Sequence, residues 1–553
     1  MTSYFDAAAL IEEISKKYNF DTEAGQIEKV TADMSGFRLK ILFSGGFSTG
    51  KSAAINTLLD RPLLKEALTP ETAIASELIY DEDEYVEAIS KNGRVRMSIG
   101  EAESIDTALY EYLIWHINCE NLKKINKYTI VDMPGFNSGI ENHNKAILRY
   151  AGNGNAYILV IDCEGGEIQD SLALFMEEIR NYNNNIAIAV SKTDKKSPEL
   201  VDEVAANIAD SADDIFGEPV NVIKISKYDK ETPAKLIETI NGFDSEDIFK
   251  QTFKPLIFDI GSKCLFGLSG IKRGANLDES EIQKEIKHHL EIQIKLEQEL
   301  EREKEKLATR MRKTVRPQIL DDVRAALANR IDELTNDILQ GGNAFASRVN
   351  SILRSTLASS TKQYVEQSFY EFADGLDLSS LSETTNMEGF SSSDAIDKLN
   401  KMKNTIDTIV NANKDYGPVY KTITTTLSVI FTTIAPWLEL IIIFMPEVVS
   451  LFSSIIGKFQ ERKVREETKD KLINEIIPMI ISRLEPAIDE SLEKMQNDMV
   501  SDVSKSINER IQIEIDGLNK AKKRLEESRR EFENELAEID NYIAQLTGAI
   551  DSL

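Results

Sequence analysis

The stretch "FSGGFSTGKSAAINTLL", residues 43–59, sets Gly45, Gly50, Lys51 and Ser52 in the spacing G-x-x-x-x-G-K-[ST]. Glycines at these places let successive backbone N–H groups, from Gly45 through Gly46, Phe47, Ser48, Thr49, Gly50, Lys51 and Ser52 to Ala53, turn inward on a phosphate chain. Lys51 then neutralises charge on the β- and γ-phosphates, and the Ser52 hydroxyl ligates magnesium. A strand-like run precedes the loop and a helical one follows, so a fortuitous glycine turn is the weaker reading.

Three further stretches carry chemistry that fits this loop. In "YTIVDMPG", residues 128–135, Asp132 ends an apolar run where its carboxylate reaches the Mg2+ shell through water, and the Gly135 N–H is placed to sense a γ-phosphate. In "AIAVSKTD", residues 187–194, Asp194 can accept two hydrogen bonds from guanine N1 and its exocyclic amine, while Lys192 lays its alkyl stem across the base. Adenine lacks that donor pair, so Asp194 points to GTP as substrate; the bland reading is an exposed helix-capping aspartate. Ser191 stands where Asn or Thr is more usual. In "KISKYD", Ser226 and Lys227 would face the base from its far side. Between the first two motifs, "LTPETAIASEL" reads as a loop returning into a strand. Thr72 is the candidate to close over magnesium and γ-phosphate, with Thr69 as the alternative and a β-turn or strand hydroxyl as the bland reading of either.

The elements that must position these groups are legible as well. From Gly36 to Phe243, β-branched runs ("RLKILFSG", "IASELIY", "KYTIVDMP", "NAYILVID", "NIAIAVSK", "VNVIKISK") alternate with helical stretches. That pattern predicts an α/β domain with a mainly parallel sheet and helices on both faces. After Asp244 strand signals vanish and long charged amphipathic helices follow, an extended all-α bundle or stalk. The expected divisions are an N-terminal helix over 1–35, the α/β domain over 36–243, a first helical part over 244–415, an apolar segment over 416–457 and a returning helical part over 458–553. The N-terminal helix is expected to pack on the helical neck.

Apolar positions at 511, 515, 518, 525, 532, 536, 539, 543, 546 and 550, with Lys522 and Arg529 in the same steps of three and four, make a heptad seam predicting one long packed helix. Residues 282–307 carry a weaker seam, which makes the two candidate antiparallel neighbours. The polar stretch 375–394 reads as a linker. Residues 422–457 carry only Glu439 and Glu447 as charges, and Pro436 and Pro446 break any single helix through them. A membrane-engaging paddle, a buried bundle core and a membrane-spanning hairpin all fit such a composition.

At 553 residues the chain exceeds one core, and two to four domains are expected. Its formal net charge of −28 repels polyanions, which excludes broad nucleic-acid binding and confines any contact with anionic lipid to a local patch. Lys458 to Lys471 mixes both signs and offers only weak attraction to such lipid. Three scattered cysteines, Cys119, Cys163 and Cys264, fit buried thiols in a reducing compartment, and the N-terminus lacks the pattern of a secretory signal; both point to the cytoplasm.

Together the loop at 45–52, "TPETA" at 69–73, "DMPG" at 132–135 and "SKTD" at 191–194 resemble the dynamin superfamily, in particular its bacterial members. The resemblance implies a GTP hydrolase requiring Mg2+, working as a homodimer through its GTPase domain or with a second dynamin-like protein. It implies membrane binding or remodelling in vesicle-associated processes, toxin secretion among them, and peripheral membrane contact through 422–457. Phe136 stands where many small GTPases have a water-orienting glutamine. In dynamins the switch threonine and a phosphate-loop serine take that role, here Thr72 and Ser48, with Lys51 completing the catalytic set. Phe47, where eukaryotic dynamins have Gln, and Thr49, where the family often has Ala or Ser, depart from the pattern. The main rival is a slow GTP-dependent switch or scaffold acting through protein partners. A coiled-coil ATPase is a third reading, opposed by Asp194 and by the lack of an LSGGQ-like stretch.

Overall fold

The computed structural model describes residues 1–46, 48–65, 74–102, 104–106, 109–135, 150, 155–165, 170–180, 185–340, 342–376, 465–527 and 529–553. Phe47, Thr69, Thr72, Phe136, nearly all of the 375–394 linker and the whole apolar segment 422–457 lie outside them.

The α/β region holds a nine-stranded sheet: β1 (Leu39–Ser44), β2 (Ala75–Tyr80), β3 (Tyr85–Ser90), β4 (Gly93–Met97), β5 (Tyr112–Ile117), β6 (Tyr128–Asp132), β7 (Asn155–Asp162), β8 (Ile186–Ser191) and β9 (Asn221–Lys224). Its order is β4-β3-β5-β2-β6-β1-β7-β8-β9. Strand β1 pairs in parallel with β6 on one side and β7 on the other, and β8 and β9 continue that half in parallel. The other half is mixed, since β2 runs antiparallel to β6, and β3 runs antiparallel to both β4 and β5. Six of these strands are the β-branched runs of the sequence. The three missed ones, β3 to β5, form the far wing, where β4 is exposed over Gly93–Val95 and gives no apolar signal.

The central strands are buried on both faces, as a sheet covered by helices requires. Two separate apolar layers lie on its two sides, one containing Leu39, Ile41 and Phe43 of β1, the other Leu42 of the same strand. That alternation is the period-2 pleat read directly from the buried set.

Helix α1 (Thr2–Tyr18) buries Tyr4, Ala7, Ala8, Ile11, Ile14 and Tyr18, then stops at Asn19, which takes a left-handed conformation, φ 54°. The chain restarts as α2 (Asp21–Ser35), so residues 1–35 form two helices where the sequence suggested one. Covering the sheet are α3 (Lys51–Leu59), α4 (Asp170–Arg180), α5 (Pro198–Phe216) and α6 (Thr232–Gly242).

Asp244 then caps α7 (Ser245–Ala275) by accepting from the N–H groups of Glu246 and Asp247. A full capping box between Asp278 and Glu281 starts α8 (Glu279–Arg310). After it come α9 (Arg316–Asn329), α10 (Ile331–Gln340), α11 (Gly342–Asp374), α12 (Ile477–Glu527) and α13 (Arg529–Asp551). Wide π-helical turns at Met311–Val315 and Leu472–Ile476 stand just before Pro317 and Pro478, where the missing N–H and the proline ring disrupt the regular α ladder.

Helices α7 and α12 pack backbone against backbone. A Cβ on Gly270 would sit 2.5 Å from the Glu514 carbonyl oxygen, and one on Gly517 would sit 2.5 Å from that of Gly267. Only glycine admits backbones at that distance. The C-terminal heptad seam divides between two helices: Ile511, Ile515 and Leu518 are buried in α12, and Phe532, Ile539, Leu546 and Ile550 in α13. A cluster of charges, Glu526, Glu527, Arg529 and Arg530, surrounds the break. Helix α8 runs antiparallel to α12, as contacts of Glu279 with Lys522 and of Gln293 with Asn508 show. The α/β region and the helical region also touch: Leu174 of α4 lies in the helical core, and the Arg354 guanidinium of α11 stands 5.6 Å over the Phe175 ring.

Beside the glycine contact lies a buried ionic node. His289 Nε2 stands 3.2 Å from Glu514 Oε2, an ion-pair separation rather than an aligned hydrogen bond, and Arg273 reaches the other oxygen at 3.0 Å. The His289 Nδ1 faces the Glu285 carbonyl at 2.8 Å. Burial works against an imidazolium here, but the Glu514 carboxylate outweighs it and holds the His289 pKa above the ordinary histidine value. A raised folded pKa gives stability that is fully present below about pH 6.5, the unfolded value, and lost as pH rises through the folded one. Thermal midpoints measured from pH 5.5 to 9 should therefore fall more steeply for the wild type than for His289→Gln. Parallel curves would refute the assignment.

Candidate functional site

The parallel half of the sheet ends its strands at one edge, and the predicted residues gather there. Register aligns Phe43 of β1 with Asp132 of β6, and Asp162 of β7 with Ser191 of β8. The phosphate loop leaves β1 at Gly45, where a Cβ would collide with the Val160 carbonyl oxygen, so glycine is required by contact. Gly50 takes φ 95°, which glycine adopts freely. Ser48 takes φ 59°, a strained choice for a residue with a side chain. Thr49 Oγ1 donates to the Gly46 carbonyl at 3.1 Å and closes the loop on itself.

Lys51 opens α3 and folds its ammonium back over the loop, donating to the carbonyls of Gly45 at 3.2 Å and Gly46 at 2.8 Å. The lysine is buried, and burial brings its pKa down to about 8, with the nearby Asp132 charge opposing the shift. A phosphate chain would supply the negative partner that the carbonyls only imitate.

Ser52 Oγ donates to Asp132 Oδ2 at 2.7 Å. The second oxygen, Oδ1, is buried and accepts no hydrogen bond, and burial raises the Asp132 pKa in spite of Ser52 and Lys51. An orphaned carboxylate oxygen beside a hydroxyl fits a hydrated magnesium ion. Ser52 and Asp132 would hold it, and it would offset phosphate charge. Gly135 lies buried three residues beyond Asp132. Ala53 occupies the first turn of α3.

The base motif is anchored on two sides. Asp194 Oδ1 accepts from Ser226 Oγ at 2.6 Å, and Ser226 Oγ also receives the Tyr228 N–H at 3.1 Å. Thr193 Oγ1 donates to the Ile225 carbonyl at 3.1 Å. Lys192 takes a left-handed φ of 55°, and Lys227 is exposed beside Tyr228. Toward the phosphate loop, Ser191 Oγ lies 2.5 Å from the Thr49 carbonyl and 3.2 Å from that of Ile161. Its one proton serves one acceptor at a time, and the shorter contact joins the two motifs directly.

The structure thus brings together Gly45, Gly46, Ser48, Thr49, Gly50, Lys51, Ser52, Ala53, Asp132 and Gly135 at one end of the edge, and Lys192, Asp194, Ser226 and Lys227 at the other. Two residues of this neighbourhood escaped the sequence reading: Ser191 as a tether, and Asp162, whose carboxylate pairs with the Lys192 ammonium. A carboxylate closing an apolar strand, as in "YILVID", is the signal that marks Asp162, the same signal that marks Asp132.

Residues 41–194 match the profile described as "Dynamin family". The resemblance drawn from the motifs holds over that span. No curated protein matches the chain. Two similar solved structures, from work described as an oligomerised bacterial dynamin pair with a mechanism for long-range sensing and tethering of membranes, share 13% and 15% identity. Their matches cover 98% and 99% of this chain and 82% and 94% of the other chain, at TM-scores of 0.36 and 0.33. A third, described as "LeoA bacterial dynamin GTPase from ETEC", shares 13% identity, with 93% of this chain and 98% of that one covered at a TM-score of 0.28. Likeness at such scores says nothing of how this chain is built.

Ser191→Ala deletes the tether between base loop and phosphate loop. Losing one buried hydrogen bond costs about 1 kcal/mol, so the Kd for GTP should rise about fivefold, measured by titration calorimetry. Unchanged affinity would mean that the two loops hold their places without it.

Proposed function

We propose that this chain, whose residues 41–194 match the dynamin family, binds and hydrolyses GTP with Mg2+ and couples the meeting of two GTPase domains to contact with a membrane. The observation that carries the nucleotide part is the pairing of a phosphate loop, with Lys51 leaning on its carbonyls, and a guanine-type Asp194 fixed by Ser226, joined through Ser191. Each element binds something different: the loop any triphosphate, Asp194 a base with two adjacent donors.

In this reading Lys51 holds the β- and γ-phosphates, Ser52, Thr72 and the water-linked Asp132 serve the metal ion, and Ser48 with Thr72 positions the attacking water once a second GTPase domain docks. The partner domain comes from another copy of the chain or from a second dynamin-like protein. Residues 36–243 act as the GTPase domain. Residues 1–35, 244–415 and 458–553 form the neck and stalk, and the apolar segment 416–457 forms the tip. Peripheral membrane contact through 422–457, from the cytoplasmic side, is what the dynamin resemblance suggests for a segment whose composition also fits a buried core or a spanning hairpin. Among the described residues no helix is long and apolar enough to cross a membrane.

Lys51→Ala should abolish GTP binding in a titration with a fluorescent analogue; wild-type affinity in that variant would sink the nucleotide assignment. Turnover per molecule should rise with protein concentration, and again on adding liposomes. A flat specific activity would favour the switch or scaffold reading instead.

A further inference from the structure

The loop after β7 grips the base motif from a third side. Strand β7 ends at Asp162, level with Ser191 of β8, and the Asp162 carboxylate divides its two oxygens between two tasks. Oδ1 accepts the Glu164 N–H at 2.9 Å, which fixes the carboxylate in its own turn. Oδ2 pairs with the Lys192 ammonium.

The backbone of Lys192 is held at the same place. Its carbonyl accepts from the Lys195 N–H at 3.0 Å and from the Cys163 thiol at 3.0 Å. Burial pushes the Cys163 pKa up, so the thiol keeps the proton it donates. A second strut, Lys195 Nζ to Glu164 Oε2 at 2.5 Å, ties the same two loops together. Lys192 therefore has a left-handed backbone fixed from one side and an ammonium fixed from the other, with only the alkyl stem between.

We propose that Asp162 is a positioning residue for guanine: by anchoring the Lys192 ammonium it stretches the lysine stem into a preformed floor for the base. The inference rests on the reading of Lys192 and Asp194 as the base-recognition pair. A free lysine carries large rotamer entropy that must be lost when a base settles on its stem. An anchored one has lost it beforehand, and binding gains by the difference. The pair is a poor candidate for a purely structural role. Its two side chains are 28% and 23% exposed, and ion pairs that open to water add little to stability.

The test uses the full chain and the isosteric Asp162→Asn. The Kd and KM for GTP should rise about tenfold, while kcat at saturating GTP and the thermal midpoint change little. ITP, which lacks only the exocyclic amine, should weaken by the same factor, because Asp194 reads the amine and Asp162 does not. In the background of Lys192→Met, which keeps the stem and removes the charge, Asp162→Asn should add no further loss. Unchanged GTP affinity in Asp162→Asn, or full additivity with Lys192→Met, overturns the proposal. Asp194→Ala separates the two levels: if it loses GTP selectivity over ATP while Asp162→Asn binds normally, only the positioning role falls. If Asp194→Ala binds GTP as the wild type does, the base-recognition reading falls and the positioning role with it.

Discussion

Everything at the site depends on β1 being flanked in parallel by β6 and β7. Because these strands run the same way, their C-terminal ends share one edge, and the loop after each opens onto the same space. Phe43 beside Asp132 brings the Asp132 carboxylate to the phosphate loop, and Ser44 beside Leu159 puts Val160 against Gly45. A slip of one residue would turn Asp132 to the opposite face of the sheet, since side chains alternate along a strand. The apolar layers on both faces, packed on alternate residues of β1, make that slip costly.

Within this frame the site is built from groups that are incompletely satisfied by the protein alone. The Lys51 ammonium donates to carbonyl dipoles and only senses the nearby Asp132 charge, Asp132 keeps a buried oxygen without a donor, and Ser48 holds a backbone angle that its side chain disfavours. The first two discomforts have opposite sign and lie side by side. A triphosphate with its metal ion would relieve both at once, whereas either charge alone would relieve one. The base end is the reverse: Asp194, Ser226 and Ser191 already hold partners, so that end arrives formed.

How much of this could be read beforehand depends on whether a residue's role is local. The phosphate loop, Asp132 and Asp194 are each defined by a few neighbours in sequence, and the structure gathers them along one edge of the sheet. Strands β3 and β4 were hard to read because "YVEAIS" and "GRVRM" mix charges into short runs and β4 is exposed along most of its length, whereas "YLIWHI" of β5 is apolar and largely buried and does carry a strand signal. The pause at Asn19 is a local event inside otherwise unbroken periodicity, and the C-terminal seam passes from α12 to α13 with its steps of three and four uninterrupted. Asp162 closes an apolar strand and so carries a local signal, but its partner Lys192 lies thirty positions away, just past the end of the next strand, and only the register shows that pairing. Thr72, Phe47 and the apolar segment lie outside the described residues, and their parts in the mechanism rest on sequence alone.

The glycine contact between α7 and α12 bears on mechanics. Helix α7 begins directly after its Asp244 cap at the end of the α/β region, and around Gly267 and Gly270 its backbone lies against that of α12 at Glu514 and Gly517 with no side chain between. Side chains are the springs of a helix interface, because they can change rotamer and absorb a displacement. Removing them removes compliance. A displacement of α7 at this crossing has no side chain to absorb it before it meets α12, whereas elsewhere α12, a helix of 51 residues, packs through side chains such as Met495, Val503 and Ile507.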